Sequence, residues 1–281
     1  MRPLAPLLLF VLLLATGRPL RATPALGDGE SLTYRVGWGI FFGAGEIKIS
    51  AKAAPPEDGH LRLDVTTTTS TRSIARALFT FDARADALFD VHNGRLLSTT
   101  ESSKSDTKKT KSSIVFDYAK STASYVNEIN PDRSATLAMP AGEPLDLIMS
   151  LIQTRAWNLK PGETRDALVI FDDEFYELTI HAEGYEEVRT PLGTFNTLVL
   201  VPRMEKTPPK GMFKRGTGVR VWISQDERHL PVKFLVEFKF GSGVATLVNY
   251  QPPAGAVAAS SIPGAAGPSS PGAAGASAPS P

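Results

Sequence analysis

The chain has 281 residues, 42% hydrophobic and 21% charged, with a formal net charge of +1 and no cysteine. It is too apolar to be disordered throughout and too neutral for a nucleic-acid partner to be expected. Without cysteine it has no disulfide, thiol nucleophile, zinc finger or lipid-modified N-terminal cysteine, so a lipid anchor is not expected.

Residues 1–26 read as an export signal. Residues 7–15 form a nine-residue apolar run behind Arg2, and small residues follow at Gly17, Ala22 and Ala25. The run is too short to cross a bilayer, which takes about 20 apolar residues in a helix. A cleaved signal peptide fits it, with the cut between Gly17 and Leu26 and no transmembrane helix left in the mature chain. Removing residues 1–22 leaves 27 basic and 29 acidic residues, a net −2. That balance gives no pull toward an acidic polymer.

Residues 27–251 read as a single antiparallel β-domain, because the dominant period is two. Leu32, Tyr34, Val36 and Trp38 alternate with polar residues or glycine. So do Ile47 and Ile49, then Leu61, Leu63 and Val65, then the run from Phe79 and Phe81 to Phe89. Each pattern puts one face on a core and one in water. Asn93-Gly94, the loop 55–59, Pro161-Gly162, Pro191-Leu192-Gly193 and Gly241-Ser242-Gly243 mark reversals. Later runs include 174–183 and 185–189 as separate strands. Leu145, Ile148, Met149, Ile152 and Ala156 instead fall on one helical stripe, with Pro144 and Asp146 in its first turn. The expected fold is mainly β: an antiparallel curled sheet or β-barrel of about a dozen strands with one packed amphipathic helix.

Two polar segments look mobile, 101–113 and 204–218. Their lysines form either a basic lip for phosphate head groups or solvated hairpin ends that protect sheet edges. Residues 252–281 are almost wholly Ala, Gly, Pro and Ser and read as a disordered tail.

No motif specifies a reaction. There is no Gly-x-Ser-x-Gly elbow and no phosphate loop. His60, His92, His181 and His229 lie in four separate segments, so no metal is expected. Asp172-Asp173-Glu174 lacks the spacing of a calcium loop. Serine and threonine are plentiful, but mostly as ordinary hydroxyls of strand surfaces. No catalytic residue and no cofactor is expected.

The aromatic inventory says more. Trp38 and Phe41 lie on or just after the first strand, and Trp222 lies mid-strand. Such side chains form a β-core or line a cavity for an acyl chain. Arg155 on the helix and Arg228 in a turn are candidate anchors for an acidic head group. The ligand-binding candidates are therefore Trp38, Phe41, Arg155, Trp222 and Arg228.

Several motifs resemble a family of exported bacterial proteins catalogued as domain of unknown function number 3108. They are Tyr34-x-Val36-x-Trp38-Gly39 followed by Gly43-Ala44-Gly45, Asp146-Leu147 with Arg155, and Pro191-Leu192-Gly193-Thr194-Phe195. The most distinctive is Val221-Trp222-Ile223-Ser224-x-Asp226-x-Arg228-x-Leu230-Pro231-Val232. The resemblance implies a periplasmic or outer-envelope location and a largely antiparallel β-fold. It implies no activity.

The expected function is non-enzymatic: binding or carrying an apolar or amphipathic ligand such as a lipid or glycolipid, with peripheral membrane contact. The rivals are a structural protein that engages envelope protein partners, and a polysaccharide or ester hydrolase. The last needs paired carboxylates or a Ser/His pair in one cleft, sought first at His229 and Asp172-Asp173-Glu174.

Overall fold

The computed structural model describes residues 25–39, 41–209, 213, 218–238 and 241–255. Among them run β1 (Ser31–Trp38), β2 (Phe41–Glu57), β3 (His60–Thr71), α1 (Ser73–Leu78), β4 (Phe81–Asp90), β5 (Leu96–Ser105), β6 (Lys109–Asp117), β7 (Thr122–Asn127) and β8 (Ala135–Ala138). Then follow β9 (Pro144–Asp146), α2 (Leu147–Gln153), β10 (Thr164–Phe171), β11 (Glu174–Thr190), β12 (Gly193–Arg203), β13 (Val219–Ser224), β14 (Pro231–Phe238) and β15 (Gly241–Gln251).

All fifteen strands belong to one sheet, in the order β8-β7-β6-β5-β4-β3-β2-β1-β15-β14-β13-β12-β11-β10-β9. Every neighbouring pair is antiparallel except β9 with β10. The two edge strands, β8 and β9, are consecutive in sequence. Only residues 139–143 join them, a link that spans at most about 20 Å. The edges must therefore approach one another, and the sheet curls without closing. Polar contacts bridge the seam: Tyr125 Oη donates to Asp172 Oδ1 at 2.5 Å, and Arg133 Nη2 to Asp172 Oδ2 at 3.0 Å.

The main core fills the curl, with Leu32, Tyr34, Ile49, Phe89 and Leu247 almost fully buried. A second cluster covers the other face of β10–β13 and includes Leu178, Val219, Val221 and Ile223. β13 is thus buried on both faces, since Trp222 points into the first cluster. α2 sits between the two. Its Met149 and Ile152 join the first core and Leu151 the second.

The sheet contains fifteen strands rather than the expected dozen, and two segments expected as a mobile stretch and a loop lie within strands. Residues 101–113 lie largely in β5 and β6, a regular hairpin. Pro55 and Pro56 lie within β2, at a register shift between Ala54 and Glu57 where no ladder donor is needed. The turn is Asp58-Gly59, with φ of 50° and 78° as a two-residue hairpin requires. Residues 174–190 form one strand bent at a bulge between Ala182 and Gly184, not two strands. The helix starts later than its stripe suggests. Leu145 is in β9, and Asp146 is the cap whose Oδ1 accepts the Met149 N–H at 2.8 Å. α1 was not anticipated: six residues are too few to show a helical period. Residues 1–24 of the export signal, residues 256–281 of the tail, and residues 210–212 and 214–217 of the second polar segment lie outside the described residues.

Candidate functional site

The strand register builds the concave face in rows. One row runs Ala51, Val65, Ala87, Thr99, Ile114 and Tyr125 across β2 to β7. These side chains are buried. Two residues along each strand the same face becomes Ile49, Thr67, Ala85, Glu101, Ser112 and Asn127, and then Ile47, Thr69, Ala83, Ser103 and Thr110. Period two keeps all of them on one face, so an apolar floor gives way to a layer of hydroxyls, an amide and one carboxyl. The side chains here are small, and they leave a cavity of about 450 Å³.

Asp146, Leu147 and Asp172 line this cavity as well. The polar groups form a network: Ser103 and Thr110 hydroxyls are 2.7 Å apart, and Asn127 Nδ2 donates to Tyr125 Oη at 3.0 Å. Burial, together with the charges of Asp146 and Asp172, pushes the Glu101 carboxyl up to about 7. Burial likewise raises Asp146 to about 6, against the Met149 and Ile148 N–H groups that favour its charge.

A pH dependence follows. The folded chain holds protons on Glu101 and Asp146 that the unfolded chain releases at lower pH. This stabilisation is complete below the unfolded pKa values and is lost as pH rises toward about 7. Glu101→Gln stays neutral throughout. At about pH 8 its melting midpoint should exceed that of the unsubstituted chain by about 5 °C, and near pH 4 the two should coincide. Calorimetry at both values checks this, and equal midpoints at the higher pH would mean that Glu101 is fully hydrated.

A second cavity of about 470 Å³ adjoins the first, with Thr69 and Phe81 lining both. Its lining is apolar: Val36, Trp38, Phe41, Leu78, Phe79 and Phe81 take part. Trp38 and Phe41 face one another across the β1–β2 turn. Trp38 lies over β15, where a Cβ at Gly243 would stand 3.4 Å from its ring. α1 sits beside the mouth with none of its residues buried. The site is thus amphipathic: a hydroxyl- and carboxyl-lined hollow beside an aromatic mouth.

The five candidate ligand residues do not converge. Trp38 and Phe41 line the apolar mouth. Trp222 is buried in the other half of the sheet, where its Nε1 donates to Glu186 Oε2 at 2.7 Å and the Lys233 ammonium stands 4.2 Å from the ring centroid. Arg155 lies in a single 3₁₀ turn after α2. Its Nη1 donates to Glu30 Oε1 at 2.6 Å and its Nη2 to the Arg228 carbonyl at 2.7 Å. The Arg228 guanidinium pairs with Asp226 and lies 5.7 Å from the Phe195 ring centroid. Arg155, Trp222 and Arg228 thus meet internal partners. Sequence reasoning misses Glu101 as a lining residue, and it misses Thr67, Thr69 and Ser112 because strand hydroxyls are ordinarily surface groups. Their parity with Leu63, Val65, Ile114 and Phe116 was the available signal. Asp172 reaches the cavity, while His229 lies beside a different pocket with Arg155 and Tyr185.

Among curated proteins none matches this sequence. The fold is similar to that of a beta-barrel-like protein of domain of unknown function DUF1849 from Brucella abortus. The TM-score is 0.50 at 7% identity, over 81% of this chain and 98% of that one. A Parabacteroides distasonis protein described as a suspected lipoprotein aligns at 9% identity over 82% and 99%, with a TM-score of 0.36. At 7% identity the likeness to the Brucella abortus protein is one of fold alone. The family model described as protein of unknown function (DUF3108) matches residues 33–248, from β1 into β15. The match spans nearly the whole sheet, and the chain belongs to that family.

Proposed function

We propose that this protein is exported to the bacterial envelope and there binds, without catalysis, an amphipathic lipid or glycolipid on the concave face of its sheet. One observation carries the reading: a polar hollow and an apolar mouth lie side by side, with Thr69 and Phe81 lining both. Acyl groups suit the aromatic mouth. Hydroxyl-bearing head groups suit a layer of threonine, serine, asparagine and carboxyl groups. Glu101, Asp146 and Asp172 share this lining with Arg84, Lys108, Lys109, Lys111 and Arg133, so the polar end suits a hydroxyl-rich or charged head group. The N-terminal signal pattern supports export.

A hydrolase is the second reading, favoured by the three carboxyl groups around one cavity. Two of them already have structural tasks. Asp146 caps α2, and Asp172 accepts from Tyr125 and Arg133.

Native mass spectrometry of the protein exported from a bacterial host, followed by solvent extraction, tests the proposal. The expected result is close to one lipid or glycolipid per chain. A bare polypeptide mass that stays unchanged after incubation with envelope lipids rules out binding.

A further inference from the structure

We propose that the rim around the apolar mouth docks this protein onto an anionic phospholipid surface. The reasoning starts from what stands uncovered. Phe42 is 94% exposed beside Arg35 and Pro191, in a neighbouring hollow rather than in the mouth itself, while Ile74 and Leu78 are each 70% exposed and Phe79 is 49% exposed. They come from two turns of the chain, but the register places both at one end of the sheet. Trp38 pairs with Phe41 at the β1–β2 turn, and Gly45 pairs with Thr71 just before α1. A six-residue helix with no buried residue gains nothing from its own apolar side chains in water. Exposed apolar groups gathered at one end of a sheet mark a surface that something covers.

The charge beside the patch identifies what covers it. The β5–β6 turn lies at the same end, and Asp106 Oδ2 accepts the Thr80 N–H at 2.9 Å, tying that turn to the segment after α1. Lys104 and Lys109 stand directly opposite one another across β5 and β6, with Lys108 adjacent. Like charges in that register are destabilising by themselves. Protection of a sheet edge does not account for them, because β5 and β6 are interior strands, the third and fourth from the β8 edge. Arg72 and Arg76, on either side of Ile74, are already paired with Glu46 and Asp82. Lys104 stands opposite Asp82 across β4 and β5, so the exposed ammonium groups of Lys108 and Lys109, which also border the polar hollow, are the cations beside the apolar rim. Apolar side chains flanked by lysine match a bilayer interface with anionic head groups.

Co-sedimentation of the full chain with vesicles of phosphatidylcholine, with and without phosphatidylglycerol, tests this. Binding should be stronger by about tenfold with phosphatidylglycerol and should weaken with salt. Phe42→Ser with Leu78→Ser should weaken it by roughly tenfold or more on both vesicles. Lys108→Glu with Lys109→Glu should remove only the preference for phosphatidylglycerol. All four positions are exposed, so unchanged melting midpoints separate lost docking from lost folding. The proposal is overturned if the unsubstituted chain ignores both vesicles, as it would were the patch a protein interface. Vesicle binding that neither pair of substitutions alters overturns it equally. The cavity reading is tested separately, since a chain that co-purifies with lipid can still fail to dock.

Discussion

Arg155→Ala should lower the unfolding free energy by about 3–5 kcal/mol, the usual cost of breaking a buried ion pair from one side. The Arg155 side chain is 11% exposed and that of Glu30 only 3%. The substitution leaves the Glu30 carboxylate without its cation in a place that water barely reaches. It also removes the donors to the carbonyls of Ala25 and Arg228. Urea unfolding should show the loss directly, and the melting midpoint should fall by about 10 °C. Glu30→Gln combined with Arg155→Met should restore much of the stability, because no charge is then buried unpaired. A loss below about 1 kcal/mol for the single substitution would mean that the pair is solvated and that Arg155 is available to a ligand after all.

Ala83→Trp should empty the site while sparing the fold. Ala83 stands on the concave face between Thr69 and Ser103, two residues from Phe81. It is therefore close to the junction of the polar hollow and the apolar mouth. An indole there projects into open space rather than into packed core, so the strain of overpacking is not expected. Ligand per chain by native mass spectrometry should fall by at least about tenfold, the equivalent of about 1.4 kcal/mol. The melting midpoint should move by only a few degrees. Undiminished occupancy would show that the ligand sits elsewhere, and the pocket beside His229 would be the next to examine.

Much of the fold was legible because β-structure writes itself in period two. The strands around Tyr34, Leu63, Ala85 and Phe234 could be read from alternation, and short connections make sheet neighbours sequence neighbours everywhere except at β1 with β15. Polar strands were harder. Residues 101–113 lack apolar alternation because their inward positions line a wet cavity instead of a core. The same hydroxyls that hid these strands are the site itself. Arg155 and Trp222 illustrate the opposite limit. Residue type marked both as chemically eventful, but a sequence does not reveal that Glu30 lies beside one and Glu186 beside the other. Each partner is brought in from another segment, 125 and 36 residues away.

The strand order also constrains how this chain assembles. Among the strand pairings, every one but β1 with β15 joins elements consecutive in sequence. Two ribbons, β1–β8 and β9–β15, can therefore each zip up through short loop closures, with little entropic delay. The pairing of Leu32 with Tyr250 and its neighbours must then wait for a loop of more than two hundred residues to close. Folding should show this as a late, separate step, in which two preformed half-cylinders join along one central ladder while the seam opposite is left as a slit.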